Sequence, residues 1–179
     1  THSAGSTSRG ARGSATVGGV LSTNAGGSNV LRYGNTRALC LGIEAVMADG
    51  RVLNLMSALH KDNSGYDLRD LLIGAEGTLA VITAATLKLV PAAKARATAV
   101  LGMQSLDAAL GVLNQLQEAT GGLVEAFEYM PDTYQRRLRA MRPELGFNLA
   151  DIHPVSILVE IGATAPRDTT PGDDGGLPL

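Results

Sequence analysis

Residues 18–27 read Gly18-Gly19-Val20-Leu21-Ser22-Thr23-Asn24-Ala25-Gly26-Gly27, with Arg32-Tyr33-Gly34 close behind. Two glycine pairs flank small hydroxyl and amide side chains. With no Cβ at the pairs, backbone N–H groups can press against a bulky anion, and positive φ is free. Ser22, Thr23 and Asn24 add directional donors and acceptors for a phosphate or a ring edge. The spacing lacks the Gly-Lys-Ser/Thr ending of a Walker loop and is not the Gly-x-Gly-x-x-Gly of a Rossmann turn. On chemistry alone, the stretch is either a Gly-rich structural turn or a nucleotide cradle.

A second stretch of this kind lies downstream. Lys61-Asp62-Asn63-Ser64-Gly65-Tyr66-Asp67 leads through Leu72-Ile73-Gly74-Ala75-Glu76-Gly77-Thr78-Leu79 into an apolar run over 80–83. Gly74 and Gly77 around Glu76, immediately before a strand, would bring backbone amides up to a ligand while fixing Glu76 nearby. The plainer reading is a tight helix-to-strand connection with a solvated Glu.

Between 14 and 91, Gly-rich turns alternate with short β-branched runs, so strands are expected to dominate, at 40–48, 51–55 and 79–90. Asp49-Gly50 reads as a hairpin turn in which both residues take positive φ. A short helix is expected at 68–73, capped by Asp67 and ended by Gly74. After Pro91 glycine thins out and helical periodicity appears. A strand at 97–103 leads to Ser105 as N-cap, then to a helix whose Leu106, Leu110, Leu113 and Leu116 share one face, stopped by Gly121-Gly122. A strand at 124–129, a basic amphipathic helix at 132–141 and a strand at 155–161 complete a β-α-β-α-β order, an α+β layer begun but not finished. Residues 1–13 read as a flexible lead-in and 166–179 as a flexible tail or truncated connector. Both ends are read as cuts or connections.

The chain of 179 residues is 45% hydrophobic with a formal net charge of −2, the balance of a soluble globular protein. Its basic residues form no continuous track, so nucleic acid is not expected as a partner. Arg136, Arg137, Arg139 and Arg142 read as a solvated helix face. No apolar run approaches the ~20 residues of a membrane-spanning helix, and no secretory leader is visible. Cys40 is the single cysteine, inside an apolar run, and reads as a buried inert thiol. His2, His60 and His153 are too scattered to suggest a metal site.

Four words of the sequence occur in the same order in a known family: Ser22-Thr23-Asn24-Ala25-Gly26-Gly27, Leu31-Arg32-Tyr33-Gly34, Lys61-Asp62-Asn63-Ser64-Gly65-Tyr66-Asp67-Leu68 and Ile73-Gly74-Ala75-Glu76-Gly77-Thr78-Leu79. Residues 13–91 thereby resemble the FAD-binding domain of the vanillyl-alcohol oxidase (PCMH-type) flavoproteins. They are most similar to the branch of D-2-hydroxyglutarate and D-lactate dehydrogenases and the glycolate oxidase flavoprotein subunit. Ala75 stands where the family usually has Ser, and Ala80 where it has Gly, both small-for-small changes. A looser similarity runs on through Glu125-Ala126-Phe127-Glu128-Tyr129-Met130 into the family's substrate, or cap, domain.

The resemblance implies an α+β fold: the second subdomain of a PCMH-type FAD-binding domain at 14–93, then the start of an α+β (ferredoxin-like) cap domain at 94–165. It implies FAD contacts at Ser14, Thr16, Gly18, Gly19, Ser22, Thr23, Asn24, Gly26, Gly27, Gly34, Glu76, Gly77 and Ile82. The family's earlier pyrophosphate loop and its later cap region, with a divalent-metal site and substrate-gripping basic side chains, have no counterpart here, so no catalytic residue is assigned. The expected activity of the intact protein is oxidation of a D-2-hydroxy acid by hydride transfer to flavin N5, with electrons passed to a further acceptor. A homodimer and a cytoplasmic location, mitochondrial in a eukaryote, are further expectations. Two other readings stay open: a non-catalytic FAD-fold remnant without turnover of its own, and an oxidase or reductase acting on another substrate with the same fold.

Overall fold

The computed structural model describes residues 2–4, 13–145, 152–172 and 175–176. The chain divides into two units, Thr1–Ala92 and Ala93–Leu179.

In the first unit, strand β1 (His2–Ala4) is followed by three short helices, α1 (Val17–Ser22), α2 (Val30–Tyr33) and α3 (Thr36–Leu39), and then by strands β2 (Cys40–Met47) and β3 (Val52–Leu55). Helix α4 (Leu68–Leu72) and strands β4 (Ala80–Leu87) and β5 (Leu89–Pro91) complete it. The sheet order is β3-β2-β4, all antiparallel. Placing β2 in the middle explains its apolar composition: Cys40, Ile43 and Ala45 are buried with Leu21, Leu72, Ile73 and Ala80 in one core. A Cβ at Gly42 would strike the backbone amide of Ser57, so only glycine lets the chain after β3 pass this close.

Four expectations need correction here. The expected strand over 79–90 is two strands, and between them the Lys88 amide donates to the Leu39 carbonyl at 2.7 Å. The turn after β2 has positive φ at Gly50 alone (84°), because the Gly50 amide donates to the Met47 carbonyl across a tight turn that leaves Asp49 in an ordinary conformation. The expected flexible lead-in contains β1, which pairs antiparallel with β5; Thr1 and residues 5–12 lie outside the described residues. Finally, the Gly-rich front is helical. Thr16 has the extended backbone of an N-cap, and its Oγ1 accepts the Gly19 amide at 3.1 Å. Two glycines disfavour a helix by about 1 kcal/mol each relative to alanine, and burial of Leu21 at 1% exposure supplies the compensation.

The second unit carries β6 (Ala95–Met103), α5 (Leu106–Thr120), β7 (Val124–Pro131), α6 (Asp132–Met141) and β8 (Val155–Ala163). The last strand lies between the other two, in the antiparallel order β6-β8-β7. Helix α5 begins as its sequence predicts: Ser105 accepts the Ala108 amide at 3.2 Å, and Gly121 ends it in the left-handed conformation (φ 62°). Its buried face does not follow the leucines. Ala109 and Val112 pack on Met103, Val155 and Ile157, while Leu106 and Leu110 are 52% and 60% exposed. A small residue is needed where the helix comes closest to the sheet, and this turns the leucine stripe to the side. Leu110→Gln is therefore expected to change stability by less than about 0.5 kcal/mol, whereas Ala109→Leu costs about 1–3 kcal/mol by overpacking; urea unfolding of the two variants measures the contrast.

The expected tail starts with a 3-10 turn, Pro166–Asp168, whose Pro166 carbonyl accepts the Thr170 hydroxyl at 2.7 Å; residues 173–174 and 177–179 of the tail lie outside the described residues. Across β6, β7 and β8 runs an ion network with no signal in the sequence pattern. Arg96 Nη1 lies 2.7 Å from Glu160 and 3.1 Å from the fully buried Glu125. Gly162 leaves room for it, since a Cβ there would come within 2.5 Å of the Glu125 carboxyl carbon.

Candidate cofactor site

Helix α1 rests on β4, so a Cβ at Gly18 would meet only the Ile82 carbonyl, 4.0 Å away. The chain leaves the helix through Thr23, whose amide and Oγ1 both return to the Gly19 carbonyl. Asn24 follows in the left-handed region at φ 46°. From there a seam joins the two glycine-bearing stretches. The Gly74 amide donates to the Leu21 carbonyl at 3.1 Å and the Glu76 amide to the Ser22 carbonyl at 2.9 Å.

Arg37 sews the same seam from a third segment. Its amide donates to Asn24 Oδ1 at 2.9 Å, and its Nη2 donates to the Ile73 carbonyl at 2.6 Å. A Cβ at Gly74 (φ 86°) would sit 3.1 Å from Asn24 Cβ and 3.2 Å from Arg37 Nη2. Arg37 carried no signal in the sequence, because its partners Asn24 and Ile73 lie 13 and 36 residues away along the chain.

Glu76 is the other non-glycine residue at positive φ among the described residues, at 52°. Such a conformation is uncommon for a side chain of this length and persists where surrounding bonds over-determine it. Here the bond to Ser22 does so. Gly18, Gly19, Gly26 and Gly27 do not use their freedom to take positive φ. At Gly19 and Gly26 the missing Cβ matters instead, since it would stand 2.9 Å from Thr16 Oγ1 and 3.0 Å from Val30 Cγ2. The Gly26, Gly27 and Gly77 amides donate to no acceptor among the described residues, and a Cβ at Gly77 (φ 77°) would have nothing within 4 Å. Unengaged main-chain donors on a surface free of Cβ atoms suit an anion such as the diphosphate of a dinucleotide.

The structure thus brings Gly18, Ser22, Asn24, Glu76 and Ile82 together. Gly19 and Thr23 are bonded to each other inside the helix end, and the Thr16 hydroxyl is taken up as its cap. Ser14 lies on the exposed turn before α1. Gly34 (φ 79°) terminates α2, with its amide on the Val30 carbonyl, which is a structural role. Asp67 caps α4 as predicted, accepting the Asp70 amide at 3.0 Å. Partial burial alone would push its pKa up, but that bond and the Arg69 guanidinium hold it below the usual carboxylate range. The described residues contain no group of three or more His, Cys, Asp or Glu side chains able to hold a metal ion, and no described helix is long and apolar enough to cross a membrane.

The FAD binding domain family matches residues 3–56. The chain is 40% identical over 158 residues to the mitochondrial D-2-hydroxyglutarate dehydrogenase of Bos taurus, covering 88% of this chain and 28% of the relative. It is 39% identical over 153 residues to the D-2-hydroxyglutarate dehydrogenase of Xanthomonas citri pv. viticola, covering 86% and 32%. The chain therefore spans about a third or less of the length of these relatives. Among solved structures, alkyldihydroxyacetonephosphate synthase superposes with a TM-score of 0.62 at 19% identity, over 82% of this chain and 28% of the synthase, a likeness of fold. With the interlocked glycine stretches, these likenesses show that residues 3–56 carry an FAD binding domain and that the chain is similar over most of its length to one part of relatives named D-2-hydroxyglutarate dehydrogenases.

Proposed function

We propose that the protein carrying this chain oxidises a D-2-hydroxy acid of the D-2-hydroxyglutarate, D-lactate or glycolate class to the 2-oxo acid. FAD, when bound, supplies the acceptor of the C2 hydrogen, as hydride at flavin N5. The observation that carries the reading is the seam: two glycine stretches, fifty residues apart, locked so that the Gly26, Gly27 and Gly77 amides stay unengaged on one unit. Those amides would hold the diphosphate. Asn24 and Glu76 fix the turns that aim them, and Gly18 with Ile82 gives the cofactor a flat edge to lie against. In this reading residues 14–93 hold the cofactor and residues 94–165 open the substrate domain. The relatives' names favour D-2-hydroxyglutarate as the first substrate to try.

The test is anaerobic. Full-length protein reconstituted with FAD is expected to lose its oxidised-flavin absorbance on addition of D-2-hydroxyglutarate, D-lactate or glycolate, and to keep it with the L-enantiomers of the chiral acids. Retained flavin that no D-2-hydroxy acid bleaches would remove the dehydrogenase reading and leave a bare cofactor-binding scaffold.

A further inference from the structure

The short segment that leads into β2 touches both glycine stretches. Asn35 caps α3 by accepting the Ala38 amide at 3.2 Å. Thr36 then donates its hydroxyl to the Ala25 carbonyl at 2.7 Å and its amide to the same oxygen at 3.3 Å. The Arg37 amide reaches Asn24 Oδ1 at 2.9 Å, and Arg37 Nη2 reaches the Ile73 carbonyl at 2.6 Å. Residues 24–25, immediately before Gly26-Gly27, are thus gripped from the main chain and Thr36, while Ile73, immediately before Gly74, is gripped by the guanidinium. The base of the grip is fixed as well. Helix α3 runs straight into the central strand β2, and the Leu39 carbonyl at its end accepts the Lys88 amide at 2.7 Å.

Only the bond to Ile73 depends on the Arg37 side chain, so it can be removed while the others stay. The side chain is half-buried, and its Nε is shielded from solvent with no acceptor among the described residues. An unpaired buried donor is destabilising, so an arginine that only filled space would be a poor solution: methionine fills a similar volume without the orphan hydrogen. What arginine supplies is a charge-assisted bond to the second glycine stretch, made by a residue whose own amide already holds the first.

We propose that Arg37 is the positioning residue of the cofactor site. Through Asn24 and Ile73 it holds the Gly26-Gly27 turn and the Gly74–Gly77 turn at one separation, so that their unengaged amides are set for a single diphosphate before FAD arrives. It acts through those turns, not by touching the cofactor. The proposal rests on the cofactor reading above, and a binding series separates it from the dehydrogenase chemistry. Full-length apo wild type, Arg37→Met, Arg37→Lys, Asn24→Gly and the Asn24→Gly/Arg37→Met pair are titrated with FAD, with flavin fluorescence as the readout and circular dichroism and thermal midpoint as checks of folding. Asn24→Gly keeps the left-handed backbone and removes only the acceptor. Arg37→Met is expected to weaken FAD binding about tenfold, the loss of one charge-assisted bond. Arg37→Lys should restore binding to within about threefold of wild type, because an ammonium still donates to the Ile73 carbonyl. The pair should bind about as weakly as Arg37→Met alone, because a clamp opened on one side no longer acts on the other. Equal affinity of Arg37→Met and wild type, no recovery in Arg37→Lys, or additive losses in the pair would each overturn the proposal and leave the cofactor site standing. Where Arg37→Met does not fold, Arg37→Gln takes its place, its shorter side chain falling short of Ile73; failure of both to fold makes Arg37 a structural residue and overturns the proposal. Wild type that binds no FAD removes the cofactor site and the proposal together. Wild type that binds FAD but is bleached by no D-2-hydroxy acid removes the dehydrogenase reading, while the binding series still decides on Arg37.

Discussion

Gly74→Val in the full-length protein is expected to weaken FAD retention by 100-fold or more. Two effects act at one atom. Gly74 sits at φ 86°, where a β-branched side chain is strained by about 1–3 kcal/mol. Its new Cβ would also press on Asn24 Cβ at 3.1 Å and Arg37 Nη2 at 3.2 Å. Neither neighbour has room to retreat, since Asn24 is held by the Arg37 amide and Arg37 by the Ile73 carbonyl. The turn must therefore slide off α1, breaking the bonds from Gly74 to Leu21 and from Glu76 to Ser22. A 100-fold loss corresponds to about 2.7 kcal/mol, well within what the strain and the broken bonds supply. Gly50→Ala is the control: Gly50 has nearly the same φ, 84°, with open space where a Cβ would stand. It should cost about 1 kcal/mol of stability and leave flavin content alone. The flavin-to-protein absorbance ratio after dialysis, with circular dichroism to check folding, reads the contrast; equal flavin in wild type and Gly74→Val would show that the seam does not shape the cradle.

Features set by local chemistry were legible in the sequence. Asp67 and Ser105 act within a turn of their own positions, and Gly121 ends α5 by its own backbone, so a linear reading finds them. The β2–β3 hairpin is of the same kind. Helix α1 was not legible, because its two glycines argue against a helix and the force that makes one, burial of Leu21 under β2 and β4, comes from residues far along the chain. For the same reason the reading allowed positive φ at the glycine pairs, whereas among the front residues the left-handed backbone falls on Asn24. The leucines of α5 misled because periodicity locates an apolar stripe, whereas close approach to a sheet selects the smallest residue, Ala109. Arg37 could not be found from spacing at all. Its partners, Asn24 and Ile73, become neighbours only after the fold has closed.

The second unit offers the other large effect, on stability. Arg96→Met is expected to destabilise it by about 3 kcal/mol, near the lower bound for breaking a buried ion network because roughly a third of the Arg96 side chain is exposed and partly screened. The size follows from what remains behind. Glu125 is 1% exposed and Glu160 12%, and both lie against Nη1 of the same guanidinium. Without it, two carboxylates share a small volume with Thr98 as a weak donor to Glu160 at 3.3 Å. Their repulsion and lost solvation, rather than the missing attraction, set the cost. Replacing Glu125 and Glu160 by Gln in the Arg96→Met background should have the opposite effect and recover most of the loss, because the buried charge disappears with its partner. Urea unfolding that shows a lower midpoint at unchanged slope for Arg96→Met, and a midpoint returned toward wild type in the triple variant, fits this account. A loss below about 1 kcal/mol would place the network with ordinary surface pairs. Equal losses in both variants would mean that Arg96 acts through the packing of its aliphatic stem on the sheet.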